Sequence, residues 1–165
     1  MMRVLFLDID GVLNSAAWNA DHQQEIAQGI LIDREKVQLL SQLVRDTHAQ
    51  IILHSGWRMW FDSQLRPLQK EAEILAQLFA EAGLSIAGVT PDLTTEEIRK
   101  NKQFSLVKAD EILAWLGQHE DIHSWLVLDD LDLHNETIRQ HQVQTDPAVG
   151  FTWKDAERAC QILEK

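Results

Sequence analysis

Short apolar runs alternate along this chain with longer segments whose apolar residues recur at helical spacing. Such runs are typical of buried strands, and helically spaced apolar residues are typical of helices that pack on a sheet. The predicted strands are 4–9, 51–54, 85–89, 125–128 and a shorter fifth at Val143. The predicted helices are 33–48, 66–82, 109–117 and a last one that Thr152 caps. This alternation predicts an α/β fold, a three-layer sandwich with a central, mostly parallel sheet.

Two segments lack a clear helix or strand pattern. Residues 14–32 are polar and mixed, and we interpret them as a loop or short hairpin. With Trp18 near its base, this segment is the candidate for a small flap. Residues 91–107 are left unassigned. No repeat, low-complexity tract or linker divides the chain, so residues 1–165 are predicted to form a single domain of ordinary size.

The charge of the chain limits its partners. It has 26 acidic and 15 basic residues, a net charge of −11. Such a surface does not attract long duplex nucleic acid without a local basic patch, and the sequence has no dense one. No apolar run approaches the roughly 20 residues that span a bilayer, and Asp8 and Asp10 interrupt the N-terminal apolar stretch, which argues against a signal peptide. We therefore expect no membrane partner and a cytoplasmic location; nothing in the sequence indicates the oligomeric state.

Polar residues follow three of the predicted strands. Asp8 and Asp10 end the first, Ser55 follows the second, and Asp129 and Asp130 follow the fourth. In parallel α/β sheets, ligands bind beyond the carboxyl ends of the strands, so these side chains are expected at one edge. Asp8 and Asp10 point to the same side of an extended chain and repel each other unless a cation lies between them. The pattern predicts a strand end that presents two carboxylates to a metal ion and a substrate.

Four motifs in this chain resemble those of the haloacid dehalogenase-like (HAD) phosphohydrolases. They are Asp8-Ile9-Asp10-Gly11-Val12, Ile51-Ile52-Leu53-His54-Ser55, Lys108 at the predicted start of a helix, and Leu126-Val127-Leu128-Asp129-Asp130. They occur in the family's order and span residues 4–130, most of the chain. The resemblance implies a Rossmann-like HAD sheet. Little sequence is left between the motifs for a cap domain, so a minimal cap or none is expected.

The resemblance also implies roles for the acidic residues. Asp8 would be the nucleophile that forms an aspartyl-phosphate, and Asp10 the general acid and base. The cofactor would be Mg²⁺, which prefers hard oxygen ligands. Its ligands would be Asp8, the backbone carbonyl of Asp10, and Asp129, whereas Asp130 would hold a metal-bound water or orient the loop.

Phosphate binding would fall to residues of the second and third motifs. Ser55 and the backbone at Gly56 would donate hydrogen bonds, Lys108 would supply a cation, and Arg58 would be a further phosphate or substrate contact. Lys100 and Lys102 are rivals of Lys108, which we favour because of its predicted position at a helix start. His54 is not expected to act as a base for Ser55, since adjacent strand residues point to opposite faces and His54 should face the core.

The segment Ser55-Gly56-Trp57-Arg58, taken with Asp129-Asp130, is also similar to small HAD domains related to those of nucleic-acid repair proteins. Our leading hypothesis is a Mg²⁺-dependent phosphomonoester hydrolase whose substrate is a phosphorylated small molecule or a bulky phosphorylated end. A nucleic-acid end-processing phosphatase is the alternative. It predicts a basic, aromatic groove near Trp57 and Arg58, although the net charge does not support nucleic acid. A third possibility is a non-catalytic binding or regulatory domain, which would bind Mg²⁺ without releasing phosphate.

Overall fold

A computed structural model describes residues 2–101 and 104–165 of this chain. Its strands are β1 (Met2–Leu7), β2 (Gln50–Leu53), β3 (Ile86–Val89), β4 (Ile122–Asp129) and β5 (Gln142–Gln144). Its helices are α1 (Ala16–Asp21), α2 (Gln23–Ala27), α3 (Arg34–Thr47), α4 (Lys70–Glu81), α5 (Glu96–Asn101), α6 (Phe104–Gly117), α7 (Glu136–Arg139) and α8 (Trp153–Leu163), with a 3-10 helix at Gly56–Trp60. Each predicted strand overlaps an observed one.

The strands form one sheet in the order β3-β2-β1-β4-β5, and every pairing is parallel. β1 is the central strand. Its last residue, Leu7, pairs with Leu53 of β2 on one side and with Leu128 of β4 on the other. The residues that follow these three strands therefore emerge side by side at the carboxyl edge of the sheet, as predicted.

Two apolar clusters flank the sheet and create the three layers. Side chains alternate along β1, so that Leu5 and Leu7 enter one cluster whereas Val4 and Phe6 enter the other. The first cluster packs α3, α4 and α8 against the sheet, and the second packs α6 and α7. The predicted three-layer sandwich without an evident cap is confirmed. In the part of the chain that the structure describes, no helix is both long and apolar enough to cross a membrane.

Residues 14–32 differ from the prediction, because they contain α1 and α2 rather than a loop or hairpin. Ser15 caps α1, and its side chain accepts a hydrogen bond from the backbone N–H of Trp18 at 3.1 Å. Neither short helix has a buried residue, so the sequence offers no apolar periodicity there. The secondary structure was predicted wrongly, while the role of this segment as a flap stays a prediction.

The predicted start of α4 was also wrong. The helix begins at Lys70 rather than at residue 66, because the preceding residues form a turn. Leu65 has a φ of 63°, and Phe61 and Pro67 form an antiparallel bridge. The turn keeps Leu68 out of the helix, although Leu68 fits the helical spacing of apolar residues in the sequence.

The start of α6 is earlier than predicted, at Phe104 rather than Ala109. Its first turn exposes Phe104 and Leu106, so no apolar face marks it in the sequence. Lys108 consequently lies in the second turn of α6 and not at a helix start. The unassigned residues before it include α5, which bears Lys100.

Candidate active site

The loop after β1 brings the first motif to the carboxyl edge of the sheet. The backbone N–H of Asp8 donates to the carbonyl of Leu128 at 2.9 Å, so the pairing with β4 extends to the start of the motif. The Asp8 residue is only 6% exposed. Gly11 has a φ of +80°, and a Cβ atom there would lie 2.6 Å from Cγ of Asp130. Both the backbone conformation and this close approach therefore require glycine at position 11.

Three carboxylates meet at this edge. Asp8, Asp129 and Asp130 each offer an oxygen, and these oxygens all lie within 4.8 Å of one another. Burial, followed by the negative charge of Asp129, raises the pKa of Asp8 well above its usual value. Burial and Asp129 also raise the pKa of Asp130. This carboxylate group thus carries a surplus of negative charge that a cation would offset.

Lys108 brings one positive charge to the carboxylate group. Its Nζ lies 2.7 Å from Oδ2 of Asp129 and 3.6 Å from Oδ2 of Asp8. Burial by itself would lower the pKa of Lys108, but the charges of Asp8 and Asp129 and the hydrogen bond to Asp129 outweigh it, so that the pKa is raised. Lys100 is exposed on α5, and Lys102 lies outside the described residues. Of the described candidates, the structure brings Lys108 to the predicted position.

The carboxylate group fits a hard divalent cation such as Mg²⁺. Oxygen ligands at about 2.0–2.1 Å from Mg²⁺ stand up to roughly 4.2 Å apart, so a small closure of the three oxygens would form a site. The Asp129 side chain is already oriented, because Oδ1 accepts from the N–H of Leu131 at 2.9 Å and Oδ2 accepts from Lys108. The residues that would hold the ion are Asp8, Asp129 and Asp130.

Asp10 occupies a different position from Asp8. Its side chain is exposed, and its carboxylate accepts hydrogen bonds from Nδ2 of Asn14 at 3.0 Å and Nε1 of Trp57 at 3.2 Å. The carboxylate is not part of the carboxylate group described above. The predicted contact of its backbone carbonyl with a metal therefore stays a prediction, whereas a metal contact through its side chain has no support in this geometry.

Two of these contacts escaped sequence reasoning. Asn14 is a single polar residue in a loop, and such a residue forms no periodic pattern. Trp57 is 47 residues from Asp10, so no local signal connects them. Thr145 was missed for the same reason: its hydroxyl donates to the carbonyl of Gly11 at 2.8 Å across 134 residues and supports the loop from below β5.

Ser55 and Gly56 begin the 3-10 helix that follows β2. The Ser55 Oγ accepts from the backbone N–H of Trp57 at 3.2 Å, which leaves its hydroxyl hydrogen for a second partner. Gly56 is exposed, and apart from its own helix backbone and its chain neighbours no atom of the described residues lies within 4 Å of the place that a Cβ would take. An anion can therefore approach the backbone at this point, beside the strand that ends in Asp8.

Arg58 pairs with Glu111 inside the protein. Its Nη2 lies 2.7 Å from Oε2 of Glu111, and its Nη1 donates to the carbonyl of Ser55 at 2.9 Å. Asp92 is more distant, at 3.9 Å. Arg58, Glu111 and Trp57 are all buried, so Trp57 and Arg58 do not form the basic, aromatic groove that the end-processing hypothesis predicts near them. A direct contact between Arg58 and phosphate stays a prediction.

Comparison with known protein families agrees with the motifs. Residues 4–156 match the family model described as HAD domain in Swiss Army Knife RNA repair proteins. The chain belongs to this HAD family. The resemblance to HAD phosphohydrolases, and to the small HAD domains of nucleic-acid repair proteins, is thereby confirmed. No curated protein and no solved structure matches the chain.

In this HAD domain, His54 lies in the core, as predicted. The side chain is fully buried, and its Nδ1 is 3.1 Å from Oγ1 of Thr90. Burial, followed by the positive charges of Lys108 and Arg58, lowers the pKa of His54 well below its usual value. Its Nδ1 faces Thr90, and the lowered pKa makes the imidazole a weaker base, so this geometry does not support His54 as a base for Ser55.

The HAD domain also has a cleft beside Lys108. It encloses about 280 Å³, and its lining includes Gly56, Arg58, Met59, Phe104, Lys108 and Glu111. Met59 and Phe104 are 49% and 45% exposed, so both present apolar surface to the cleft. Because Lys108 borders the cleft and also contacts Asp8, the cleft lies next to the candidate active site.

Proposed function

We propose that this HAD domain is a Mg²⁺-dependent phosphomonoester hydrolase that acts through an aspartyl-phosphate. The observation that carries the proposal is the placement of the Asp8 carboxylate against Asp129, Asp130 and Lys108 at the carboxyl end of the central strand. Phosphate monoesters are anionic and react slowly, so their hydrolysis depends on positioning and on neutralisation of charge. A buried nucleophile beside a protonated lysine and a cation-binding group meets both needs.

In the first step, an Oδ atom of Asp8 attacks phosphorus, and the bond from phosphorus to the leaving oxygen breaks. Asp10 gives its proton to that oxygen, so the product leaves as an alcohol. In the second step, water attacks the phosphorus of the aspartyl-phosphate and gives a proton to Asp10. The bond to Asp8 breaks, which releases inorganic phosphate and restores the Asp8 carboxylate and the protonated Asp10 with which the cycle began.

Other residues of this chain would bind the phosphoryl group. Lys108 would place its ammonium against the phosphoryl oxygens, and the Ser55 hydroxyl and the backbone at Gly56 would donate hydrogen bonds to them. Asp8, Asp129 and Asp130 would hold Mg²⁺, which when bound neutralises the negative charge of the carboxylate group and of the phosphate. The raised pKa of Asp8 supports this requirement, because the nucleophile must be ionised to attack.

Phosphate release from a generic aryl phosphate tests the proposal. We expect release with Mg²⁺, none with a chelator, and none from Asp8→Asn, which keeps the shape of the side chain but not its nucleophilic oxygen. A matched control is Asp110→Asn, since Asp110 is an exposed carboxylate on α6. Release that survives Asp8→Asn would contradict the mechanism. Mg²⁺ binding without release from any phosphate ester would instead favour a binding or regulatory domain.

A second candidate function, removal of phosphate from a nucleic-acid end, has support of its own. The family to which the chain belongs is described as HAD domain in Swiss Army Knife RNA repair proteins. The aromatic ring of Phe104 also lines the cleft beside Lys108. A base that stacks on an aromatic side chain gains about 1–3 kcal/mol. The net charge of −11 disfavours a long polyanion, so the cleft would receive a single terminal nucleotide.

Substrate comparison tests this second candidate. For an oligonucleotide with a terminal phosphate, we expect Phe104→Ala to lower kcat/KM by roughly 5- to 100-fold, the equivalent of the stacking energy. Glycerol phosphate has no base and should be unaffected. Leu131→Ala is the control, since Leu131 is another exposed apolar residue. If Phe104→Ala leaves the ratio of the two kcat/KM values, oligonucleotide over glycerol phosphate, unchanged, the cleft is not a nucleotide site.

A further inference from the structure

The Asp10 carboxylate is held at both oxygens although its residue is exposed. Nδ2 of Asn14 donates to Oδ1 at 3.0 Å, and Nε1 of Trp57 donates to Oδ2 at 3.2 Å. Asn14 is 6% exposed and Trp57 is 4% exposed, so the exposed acid is anchored by two donors that are themselves fixed in the interior. An unanchored surface aspartate would sample several rotamers.

Trp57 is immobilised from several sides. Its backbone N–H donates to Oγ of Ser55 at 3.2 Å in the first turn of the 3-10 helix. Its ring contacts the ring of Trp60, with centroids 4.7 Å apart. The indole N–H is a donor only, so it is suited to hold a carboxylate oxygen. Through Trp57, the helix that presents Ser55 to the phosphate also reaches Asp10.

Asn14 uses its whole amide in the same loop. Its Oδ1 accepts from the N–H of Gly11 at 2.9 Å, and its Nδ2 donates both to Asp10 and to the carbonyl of Leu31, each at 3.0 Å. The orientation of the amide is therefore set by three contacts. Only the contact with Asp10 reaches an exposed group.

We propose that Trp57 and Asn14 are positioning residues that hold the Asp10 carboxylate where it exchanges a proton with the leaving oxygen and with water. The inference rests on the proposed function, in which Asp10 is the general acid and base. An ionised carboxylate has about four acceptor sites, so two donors leave each oxygen able to carry the transferred proton. The two residues act through Asp10 and do not contact the reacting atoms.

Leaving groups of different quality isolate this role. An alkyl alcohol leaves only with a proton, which Asp10 supplies as the bond from phosphorus to oxygen breaks. 4-Nitrophenol leaves as a stable anion and needs no proton. The ratio kcat/KM reports the steps up to the first irreversible one, which here is the transfer of the phosphoryl group to Asp8. We therefore compare kcat/KM for glycerol phosphate and 4-nitrophenyl phosphate.

Trp57→Phe is the first variant, because it removes the indole N–H and keeps an aromatic ring. We expect kcat/KM to fall roughly tenfold with glycerol phosphate and to change by less than about twofold with 4-nitrophenyl phosphate. The tenfold loss is smaller than the 10²–10⁴-fold effect of a general acid itself, because Asp10 is still present. Trp153→Phe is the control, because Trp153 is an exposed tryptophan on α8, and it should change neither value. Asn14→Asp removes the other donor, keeps the acceptor for Gly11, and should repeat the selective loss.

Three results would overturn the inference. One is an equal loss on both substrates in Trp57→Phe and Asn14→Asp, which would indicate a general structural role. Another is no loss on either substrate, and the third is the same loss in Trp153→Phe. Asp8→Asn separates this inference from the proposed function: if it abolishes turnover while the two positioning variants lack selectivity, only the inference fails, whereas turnover in Asp8→Asn contradicts the proposed function itself.

Discussion

Two buried groups of charges lie on either side of Lys108, and they differ in balance. In the first, Lys108 faces Asp8, Asp129 and Asp130, so one positive charge meets three carboxylates. In the second, Arg58 faces Glu111 one to one at 2.7 Å. Asp8 and Asp129 of the first group and both members of the second are buried, and Lys108, Arg58 and Glu111 also line the cleft.

The carboxylate group is suited to binding a ligand, whereas the Arg58–Glu111 pair is suited to holding the structure together. The Arg58–Glu111 pair is mostly satisfied by the protein: Glu111 also accepts from the N–H of Leu93 at 2.9 Å and Arg58 donates to the carbonyl of Ser55, while Nε of Arg58 has no hydrogen-bond partner among the described residues. It fixes the 3-10 helix against α6. The carboxylate group has no such balance, and its surplus charge is a cost to the folded protein that a divalent cation and a phosphate substrate would turn into binding.

Breaking the balanced pair should have the largest effect on stability. Arg58→Met leaves Glu111 buried without its partner, and loss of one member of a buried pair costs about 3–5 kcal/mol. The double variant Arg58→Met/Glu111→Leu should recover most of this loss in urea unfolding. Arg66→Met is the control, because its ion pair with Asp62 lies at the surface, where water screens it, and its loss should change the stability little. A stable double variant that has lost activity would show that Arg58 is needed for activity, either by contact with the substrate or by the hydrogen bond that holds the Ser55 carbonyl.

Removal of the single cation from the carboxylate group should affect catalysis most. We expect Lys108→Met to lower kcat by about 10²–10³-fold, the usual effect of removing one donor to a developing charge, or about 3–4 kcal/mol. Lys100→Met, which removes an exposed lysine, should be neutral. Phosphate release by the two variants decides between these lysines, and a larger loss in Lys100→Met would contradict the assignment.

Mg²⁺ should stabilise the unbalanced group and leave the balanced pair unchanged. At a concentration 100 times its Kd, the ion should add about 2.7 kcal/mol to the free energy of unfolding. The gain should disappear in Asp129→Asn. It should persist in Glu111→Gln, although that variant starts from a lower stability. Thermal unfolding with and without Mg²⁺ measures the gain in stability of each variant. A gain that is lost in Glu111→Gln and kept in Asp129→Asn would contradict the assignment of the ion to the carboxylate group.

Charges from both groups, Lys108 and Arg58, act on His54, and the resulting pH dependence of stability is the smallest of the effects that we expect. Its pKa is lowered in the folded protein by burial, by Lys108 and by Arg58, whereas the unfolded chain binds a proton near pH 6.5. Its contribution to stability is therefore complete above about pH 6.5 and is lost as the pH falls towards its folded pKa, by at most about 1.4 kcal/mol per pH unit. Unfolding at several pH values should show a weaker dependence in His54→Gln than in the control His123→Gln. Equal slopes would refute the assignment.

The sequence predicted the sheet well because its strands β1, β2 and β4 are buried on both faces over most of their length. Their apolar runs are continuous, and turn residues end them. It predicted α1 and α2 wrongly because helices without a buried face leave no periodicity. The start of α6 failed for the same physical reason, since Phe104 and Leu106 are exposed.

The candidate site was predictable where chemistry follows a strand end and unpredictable where contacts cross the chain. Asp8, Ser55 and Asp129 each follow a recognisable strand, and the sheet order brings them together. Lys108 was chosen for a helix start that does not exist, yet it reaches the carboxylates from the second turn. Trp57 is 47 residues from its partner Asp10, and Glu111 is 53 residues from its partner Arg58, and no local pattern encodes such contacts.

The central position of β1 has a consequence for folding kinetics. Its neighbours, β2 and β4, are distant in sequence, so the site forms only after two long loops have closed in parallel pairings, which are slow to form. Asp8 and Ser55 can approach when β1 pairs with β2, but Asp129 arrives only with β4. Partly folded chains in which β4 is undocked therefore lack the cation-binding group, and the return of Mg²⁺ affinity during refolding would report the last strand pairing.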